Sequence, residues 1–150
     1  MESTMKKHKR GFSLLEVLTV ITIAAFLALG VAKAGQWVAF NSKVLKLQSD
    51  INTLRAAVQQ WKFSGGESMS LHISTLADHA MLPEEWGNGE FKNPWGGEYQ
   101  ASGVPLKPNS YVITADGLNG ERLISRLVQY YGDAVEAYHA TEANLYITFK

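Results

Sequence analysis

The sequence predicts an α+β fold in which one long N-terminal helix, about residues 12–63, packs against a small antiparallel β-sheet with short helices. Three observations support this prediction. No proline interrupts residues 12–63, and their apolar residues recur with a helical period. Later in the chain, two short runs are rich in β-branched and aromatic residues, which is typical of strands. Helical patterns and strands are grouped apart, which favours an antiparallel sheet.

Composition narrows the possible functional classes. The chain has 150 residues, 14 basic and 14 acidic side chains and no cysteine. A net charge of zero gives no indication of nucleic-acid binding by bulk electrostatics. The lack of cysteine excludes zinc–thiolate sites, disulfides and a thiol nucleophile. This length allows one domain with a modest core plus one extra element.

Residues 12–31 form an apolar segment in which Glu16 is the only charged residue. A helix of this length spans roughly 30 Å, the thickness of the hydrocarbon core of a bilayer. Basic residues cluster just before it: Lys6, Lys7, Lys9 and Arg10. By the positive-inside rule they would keep the N-terminus in the cytoplasm. An ionisable residue at membrane depth usually marks function, so Glu16 needs an explanation.

Three interpretations of this segment compete. A secretory signal peptide has a shorter apolar region followed by a cleavage site of small residues, whereas here the helical pattern continues without a break. A plain signal anchor fits the length but leaves Glu16 unexplained. The third interpretation comes from the run Gly11-Phe12-Ser13-Leu14-Leu15-Glu16. This run resembles the class III signal of type IV prepilins and pseudopilins.

The resemblance implies specific roles for residues of this segment. Residues 1–11 would be a leader peptide, cut between Gly11 and Phe12 by a membrane-embedded prepilin peptidase that also methylates the Phe12 amine. Glu16 would be the assembly glutamate. Residues 12–35 would be the transmembrane and filament-core half of the helix, and residues 36–150 the globular pilin domain. Many pilins carry a proline in the membrane segment, and here Gly30 and Gly35 stand as the weak points instead.

The helical pattern continues beyond the membrane segment as an amphipathic helix. Its apolar stripe has heptad-like spacing: Trp37, Phe40, Val44, Leu47, Ile51, Leu54, Val58 and Trp61. The predicted solvent face comprises Asn41, Lys43, Lys46, Gln48, Asp50, Asn52, Arg55 and Gln59. Ser64-Gly65-Gly66 supplies the stop. A helix of about 50 residues is about 75 Å long, more than one small domain can cover, so lipid or other copies must bury its first half.

Local patterns predict the remaining elements. A short helix begins near Ser74 and ends before Pro83, and turns follow around Gly87–Gly97. Strands are predicted at 99–102, 110–115 and 145–149, with a loop at Val104–Pro108 and a helix over Glu121–Tyr131 closed by Gly132. The Asn93-Pro-Trp-Gly-Gly97 run, with a helix between the last two strands, resembles type IVb pilins of conjugative thin pili. Those relatives commonly carry a disulfide, which this chain lacks.

Other candidate sites are better explained structurally. The scattered histidines, His8, His72, His79 and His139, lack the spacing of a helical metal site. Asp116–Glu121 faintly suggests calcium but is first of all turn chemistry. A set of aromatic residues could form a binding patch, although core packing explains most of them: Trp86, Trp95, Tyr99, Tyr111, Tyr130, Tyr131 and Tyr138. No nucleophile elbow, phosphate loop or carboxylate dyad occurs, and we expect neither an enzyme nor a cofactor.

The resemblance therefore implies a structural pilin subunit, major or minor, for a filament that serves adhesion, aggregation, motility or conjugation-related contact. The resemblance implies other pilins, the prepilin peptidase, an inner-membrane platform protein and an assembly ATPase as partners. Before assembly the chain would span the bacterial inner membrane once, with its C-terminus in the periplasm, and afterwards it would lie in the extracellular pilus. The alternatives are a type II secretion pseudopilin and a membrane-anchored binding domain that does not polymerise.

Overall fold

The computed structural model describes residues 13–118, 120–141 and 144–150. The first element is a single helix, α1, Leu14–Phe63. Two short helices follow, α2 at Ile73–Asp78 and α3 at Glu84–Gly87. Strands β1, Tyr99–Val104, and β2, Lys107–Asp116, precede helix α4, Glu121–Tyr131. Strands β3, Val135–Ala140, and β4, Asn144–Phe149, complete the described chain.

The four strands form one antiparallel sheet in the order β1-β2-β4-β3. In the register, Tyr99 faces Ala115 across β1 and β2, and Tyr111 faces Phe149 across β2 and β4. Together with α1 and the short helices, this sheet confirms the predicted α+β architecture. The chain divides into two compact units, one that ends at Phe40 and one from Asn41 to Lys150, and α1 contributes residues to both.

The second unit has its own hydrophobic core. α1 contributes the part of the predicted stripe that begins at Val44. Its buried residues are Val44, Leu47, Ile51, Leu54, Val58 and Trp61. The sheet contributes Tyr99, Ala101, Tyr111, Ile113, Ala115, Leu145, Ile147 and Phe149, and α4 contributes Leu123, Leu127 and Tyr131. The helix therefore packs on the sheet as predicted. Trp37, the first residue of the stripe, lies in the first unit and is exposed.

The C-terminus of α1 explains why the helix stops at Phe63. The Gly66 N–H donates to the Trp61 carbonyl at 3.0 Å, and the Gly65 N–H donates to the Lys62 carbonyl at 3.1 Å. This pair of bonds is a Schellman motif, in which one residue adopts the left-handed conformation. Gly65 supplies it with a φ of 85°. The predicted glycine stop is thus confirmed.

The structure corrects three local predictions. Strand β3 was not predicted, so α4 lies between the second and third strands rather than between the last two. The predicted Val104–Pro108 loop is wrong, because Val104 ends β1 and pairs with Lys107 at the start of β2, leaving a two-residue turn. The short helix α3 was also missed. Strand β3 is defined by its pairing with β4, whereas the two-residue turn and α3 are local features that the sequence analysis did not identify.

Candidate functional site

The candidate site begins at the N-terminal turn of α1. The Glu16 backbone N–H donates to Ser13 Oγ at 3.2 Å, and the Val17 N–H donates to the Ser13 carbonyl at 3.1 Å. Ser13 thereby caps the first turn, where the positive end of the helix dipole favours a carboxylate such as that of Glu16. Sequence reasoning missed this local role, although the spacing Ser-x-x-Glu is typical of a capping box.

The apolar half of α1 satisfies its other polar side chains internally. The Thr19 hydroxyl donates to the Leu15 carbonyl and the Thr22 hydroxyl to the Leu18 carbonyl, each at 2.8 Å. Such back-bonding removes free hydroxyl donors from an apolar environment. Among the described residues, α1 is the one helix long and apolar enough to cross a membrane. These features suit a segment that is surrounded by lipid or by other apolar helices.

Large apolar side chains in this half of α1 are exposed in the single chain. They are Leu14, Leu15, Val17, Leu18, Val20, Ile21, Ile23, Phe26, Leu27, Leu29 and Val31. Soluble monomers rarely expose contiguous apolar patches above a few hundred Å². This surface therefore requires a cover that the described residues do not supply.

Glu16 is the charged residue within that surface. No salt bridge between described residues involves Glu16, and its side chain is exposed. The predicted cleavage and methylation site, Gly11 and Phe12, lies outside the described residues, as do the basic leader residues Lys6, Lys7, Lys9 and Arg10 and the histidine His8. A pairing of Glu16 with the Phe12 amine therefore stays a prediction.

A second carboxylate, Asp50, is buried in the core of the second unit. Placing it on the solvent face was wrong, because the Tyr99 hydroxyl donates to Asp50 Oδ2 at 2.8 Å and Lys46 Nζ lies 3.5 Å from the same oxygen. Burial, followed by the charge of Asp50 and its hydrogen bond, raises the pKa of the Tyr99 hydroxyl. Tyr99 thus remains a neutral donor, and Asp50 joins α1 to β1.

The Asn93–Gly97 turn is fastened to the end of β2 by the buried Asn93 side chain. Its Nδ2 donates to the Asp116 carbonyl at 2.6 Å, while its Oδ1 accepts from the N–H groups of Trp95 and Gly97. A Cβ on Gly97 would come within 2.0 Å of the Asp116 carbonyl oxygen, so only glycine fits there. The Asn-Pro-Trp-Gly-Gly run therefore has a structural role, which is to join its turn to the end of β2.

Residues of the predicted aromatic patch make ring contacts within the domain. Arg55, also predicted on the solvent face, is half-buried with its guanidinium 4.6 Å from the Phe149 ring centroid. Trp86 stacks on Phe91 with ring centroids 4.0 Å apart, and Trp86 also stacks on Tyr99. Burial raises the pKa of the Tyr131 hydroxyl. Most residues of the predicted aromatic patch are thus packed within the domain.

The described residues contain no group of three His, Asp or Glu side chains that could hold a metal ion. His79 packs edge-on against Trp61, with ring centroids 4.8 Å apart, and its Nδ1 lies 2.8 Å from the Thr75 carbonyl oxygen. In the predicted Asp116–Glu121 turn, Gly117 and Gly120 have positive φ angles, whereas Asn119 lies outside the described residues. The N-terminal half of α1 therefore stands as the candidate functional surface.

Comparisons with known proteins agree with this focus on the N-terminus. The family model for the prokaryotic N-terminal methylation motif matches residues 6–32. The chain is also similar to type II secretion system core protein G of Pseudomonas aeruginosa, with 25% identity over 130 residues, 77% of this chain and 89% of that protein. No solved structure matches the chain significantly.

Proposed function

We propose a filament role for this chain from the premise that it is a pilin-type subunit of the type IV pilin and pseudopilin family, as its methylation motif and its similarity to a type II secretion protein support. Members of this family are structural subunits rather than enzymes. In this proposal the chain is a major or minor component of an extracellular type IV pilus. The observation that carries the proposal is the exposed apolar surface of α1 with a single carboxylate, Glu16.

Processing would convert the precursor into an assembly-competent subunit. Residues 1–11 would be removed by the prepilin peptidase between Gly11 and Phe12, and the new Phe12 amine would be methylated. Residues 12–35 would first cross the inner membrane and later line the filament core, with residues 36–150 as the globular domain on the outside. A platform protein and an assembly ATPase would drive the transfer, because extraction of an apolar helix from lipid is costly.

Glu16 would select the incoming neighbour. Cleavage creates a positive amine at Phe12 inside the same apolar layer, and each lone charge is costly there. An amine within the same helix could reach Glu16, but such a pair would not distinguish one neighbour from another. Pairing with the Phe12 amine of an adjacent subunit would compensate both charges and set the axial register. Methylation leaves the amine basic, so this attraction persists.

Substitutions at Glu16 test the proposal. We expect Glu16→Ala and Glu16→Gln to be inserted and cut normally, yet to lower the ratio of sheared-filament protein to membrane protein by more than about tenfold. Breaking a buried charge pair costs about 3–5 kcal/mol, which exceeds the roughly 1.4 kcal/mol of a tenfold change. Glu16→Asp should retain part of the activity, because the charge persists on a shorter side chain.

Ser13→Ala is the matched control for the local role of Glu16. It removes the cap hydrogen bond and keeps the carboxylate, at a cost of about 1 kcal/mol or less in helix stability. Near-normal filament yield from Ser13→Ala with loss in Glu16→Ala supports pairing between subunits. Equal loss in both variants would assign Glu16 to helix capping, and normal yield from Glu16→Ala would refute the pairing.

A type II secretion pseudopilin is the second candidate function, favoured by the similarity to core protein G. In that case the chain would polymerise into a short periplasmic filament that supports secretion. Deleting the gene and measuring both secreted proteins and surface filaments separates the two functions. A secretion defect with unchanged surface filaments in the deletion strain would favour the pseudopilin. If the protein is absent from every filament fraction of wild-type cells, the membrane-anchored domain is the interpretation that is left.

A further inference from the structure

In the turn between β1 and β2, one apolar residue has an unfavourable backbone conformation. Leu106 has a φ of 66°, in the left-handed region that glycine and asparagine tolerate and bulky side chains rarely adopt. Its side chain is fully exposed, so no burial within the chain compensates for the strain. Strained residues concentrate at functional sites. The combination of strain and exposure therefore points to a contact with another molecule.

A second exposed apolar side chain lies beside the same turn. Met69 and Leu106 line one cleft of about 450 Å³ together with Val104 and Pro108. Met69 is mostly exposed, as Leu106 is. We call Met69 and Leu106 the tip patch.

The charges around the cleft argue against an anionic partner. Lys62 is the one cationic residue among those that line the cleft. Its Nζ donates to the Asn109 carbonyl at 2.7 Å and lies 4.6 Å from the Tyr111 ring centroid. Burial lowers the pKa of Lys62, which is consistent with its engagement in the fold. For a phosphate, a nucleic acid or an anionic lipid headgroup the cleft thus offers one cation that is already engaged, and the carboxylate of Glu67 lies in the same lining, so an apolar partner fits better.

The size of the tip patch indicates which apolar partner it fits. Its two side chains expose roughly 350 Å², less than the roughly 800 Å² that each partner buries in a stable specific complex. A free protein would therefore bind the patch only weakly. A neighbour that is already held in a filament needs little additional area, because the second contact is then effectively intramolecular.

We propose that the tip patch docks onto a second copy of this chain within the filament. The inference rests on the proposed function and adds to it a contact made by the globular domain, separate from the apolar helix. The patch would meet a different surface of the next copy, because contacts between unlike surfaces generate open filaments whereas self-pairing closes a dimer.

A pair of substitutions at Leu106 tests the contact. Leu106→Asn tolerates the left-handed turn and removes the apolar side chain, so membrane level and cleavage after Gly11 should match those of the wild type. Its sheared-filament yield should fall at least about tenfold, the effect of losing one buried leucine. Leu106→Met keeps an apolar side chain at the same strained position and should retain the wild-type yield. Equal yields from the two variants would overturn the proposal.

Cysteine labelling provides a direct readout, since the chain has no native cysteine. In a Leu106→Cys variant, a maleimide reagent should modify the thiol in membrane-stage subunits and spare it in intact filaments. Dissociating the same filaments should restore full labelling, which serves as the internal control. Equal labelling in intact and dissociated filaments would overturn the contact. Protection that is lost when another bound protein is stripped from the filaments would assign the patch to that protein and also overturn the proposal.

These outcomes are separable from failure of the proposed function. If the wild-type chain is absent from sheared filaments, the proposed function itself fails. If wild-type and Glu16 variants behave as proposed while Leu106→Asn assembles normally, only the tip contact fails. The Glu16 and Leu106 experiments therefore test different steps of assembly.

Discussion

Two carboxylates of α1, Glu16 and Asp50, differ in whether described residues partner them. Asp50 is buried in the second unit, where the Tyr99 hydroxyl and the Lys46 ammonium supply its partners. Glu16 lies on an apolar stretch of α1 and forms no salt bridge with a described residue. The internal partners of Asp50 stabilise the fold, whereas the proposed partner of Glu16 belongs to another chain.

Tyr99→Phe isolates the buried partner of Asp50. Removing the hydroxyl leaves a buried carboxylate oxygen with one weaker partner, so we expect the free energy of unfolding to fall by about 1–3 kcal/mol. Lys46→Ala removes the longer contact, 3.5 Å, made by a half-exposed lysine, and should cost less than Tyr99→Phe, about 1 kcal/mol. Denaturant unfolding of the purified chain in detergent, followed by tryptophan fluorescence, measures both. Equal effects of the two substitutions would contradict the dominant role of the hydroxyl.

At the scale of elements, α1 behaves as two different helices joined end to end. Up to Val31 its apolar side chains point outward on all sides and are exposed. From Val44 onward they form one buried stripe on the sheet. A helix that is apolar all round requires lipid or other helices, whereas an amphipathic helix packs on its own domain. The same element can therefore serve both assembly and folding.

The stripe predicts that the second unit folds without the first half of α1. A fragment lacking residues 1–35 should be soluble and folded. Within it, Ile51→Asp or Leu54→Asp should bury a charge at a cost of several kcal/mol, comparable with the stability of a small domain. Lys43→Asp, at an exposed position of the same helix, should change stability by less than about 1 kcal/mol. Thermal melts in which aspartate is tolerated equally at the buried positions and at Lys43 would refute the amphipathic arrangement.

At the scale of the whole molecule, the chain combines a unit that buries its own core with a segment that does not. The exposed apolar segment needs one of two settings, lipid or other apolar helices around it. The methylation motif over residues 6–32 is consistent with passage from the first setting to the second. Cleavage of the leader would be the step that commits the chain to this passage.

Processing can be tested on the full chain by mass spectrometry of its N-terminus. We expect filament-stage protein to begin at Phe12 with a monomethylated amine. Gly11→Val should leave the full-length precursor, because a branched side chain obstructs the peptidase at the scissile residue. Gly30→Val is the matched control, since nothing lies within 4 Å of a Cβ at Gly30, and it should be cut normally. An intact Met1 terminus on wild-type filament protein would contradict the processing scheme.

Local sequence patterns were sufficient for the features that depend on neighbouring residues. The length of α1, its Gly65-Gly66 stop, the buried stripe and helix α4 all follow from periodicity and turn chemistry within a few positions. The apolar segment with Glu16 was evident for the same reason. A helix records its environment in its own sequence, because successive turns bring residues three and four apart onto one face.

Only the tertiary structure decided the features that join distant residues. Strand β3 has no buried residue on either face, so alternation could not reveal it, and its place depends on backbone pairing with β4. Asp50 looked like a solvent-facing residue because its partner, Tyr99, lies 49 positions away. The tip patch likewise arises where the segment after α1 and the β1–β2 turn meet. Such contacts form between residues that are far apart in the chain. Local periodicity in a single sequence therefore does not predict them.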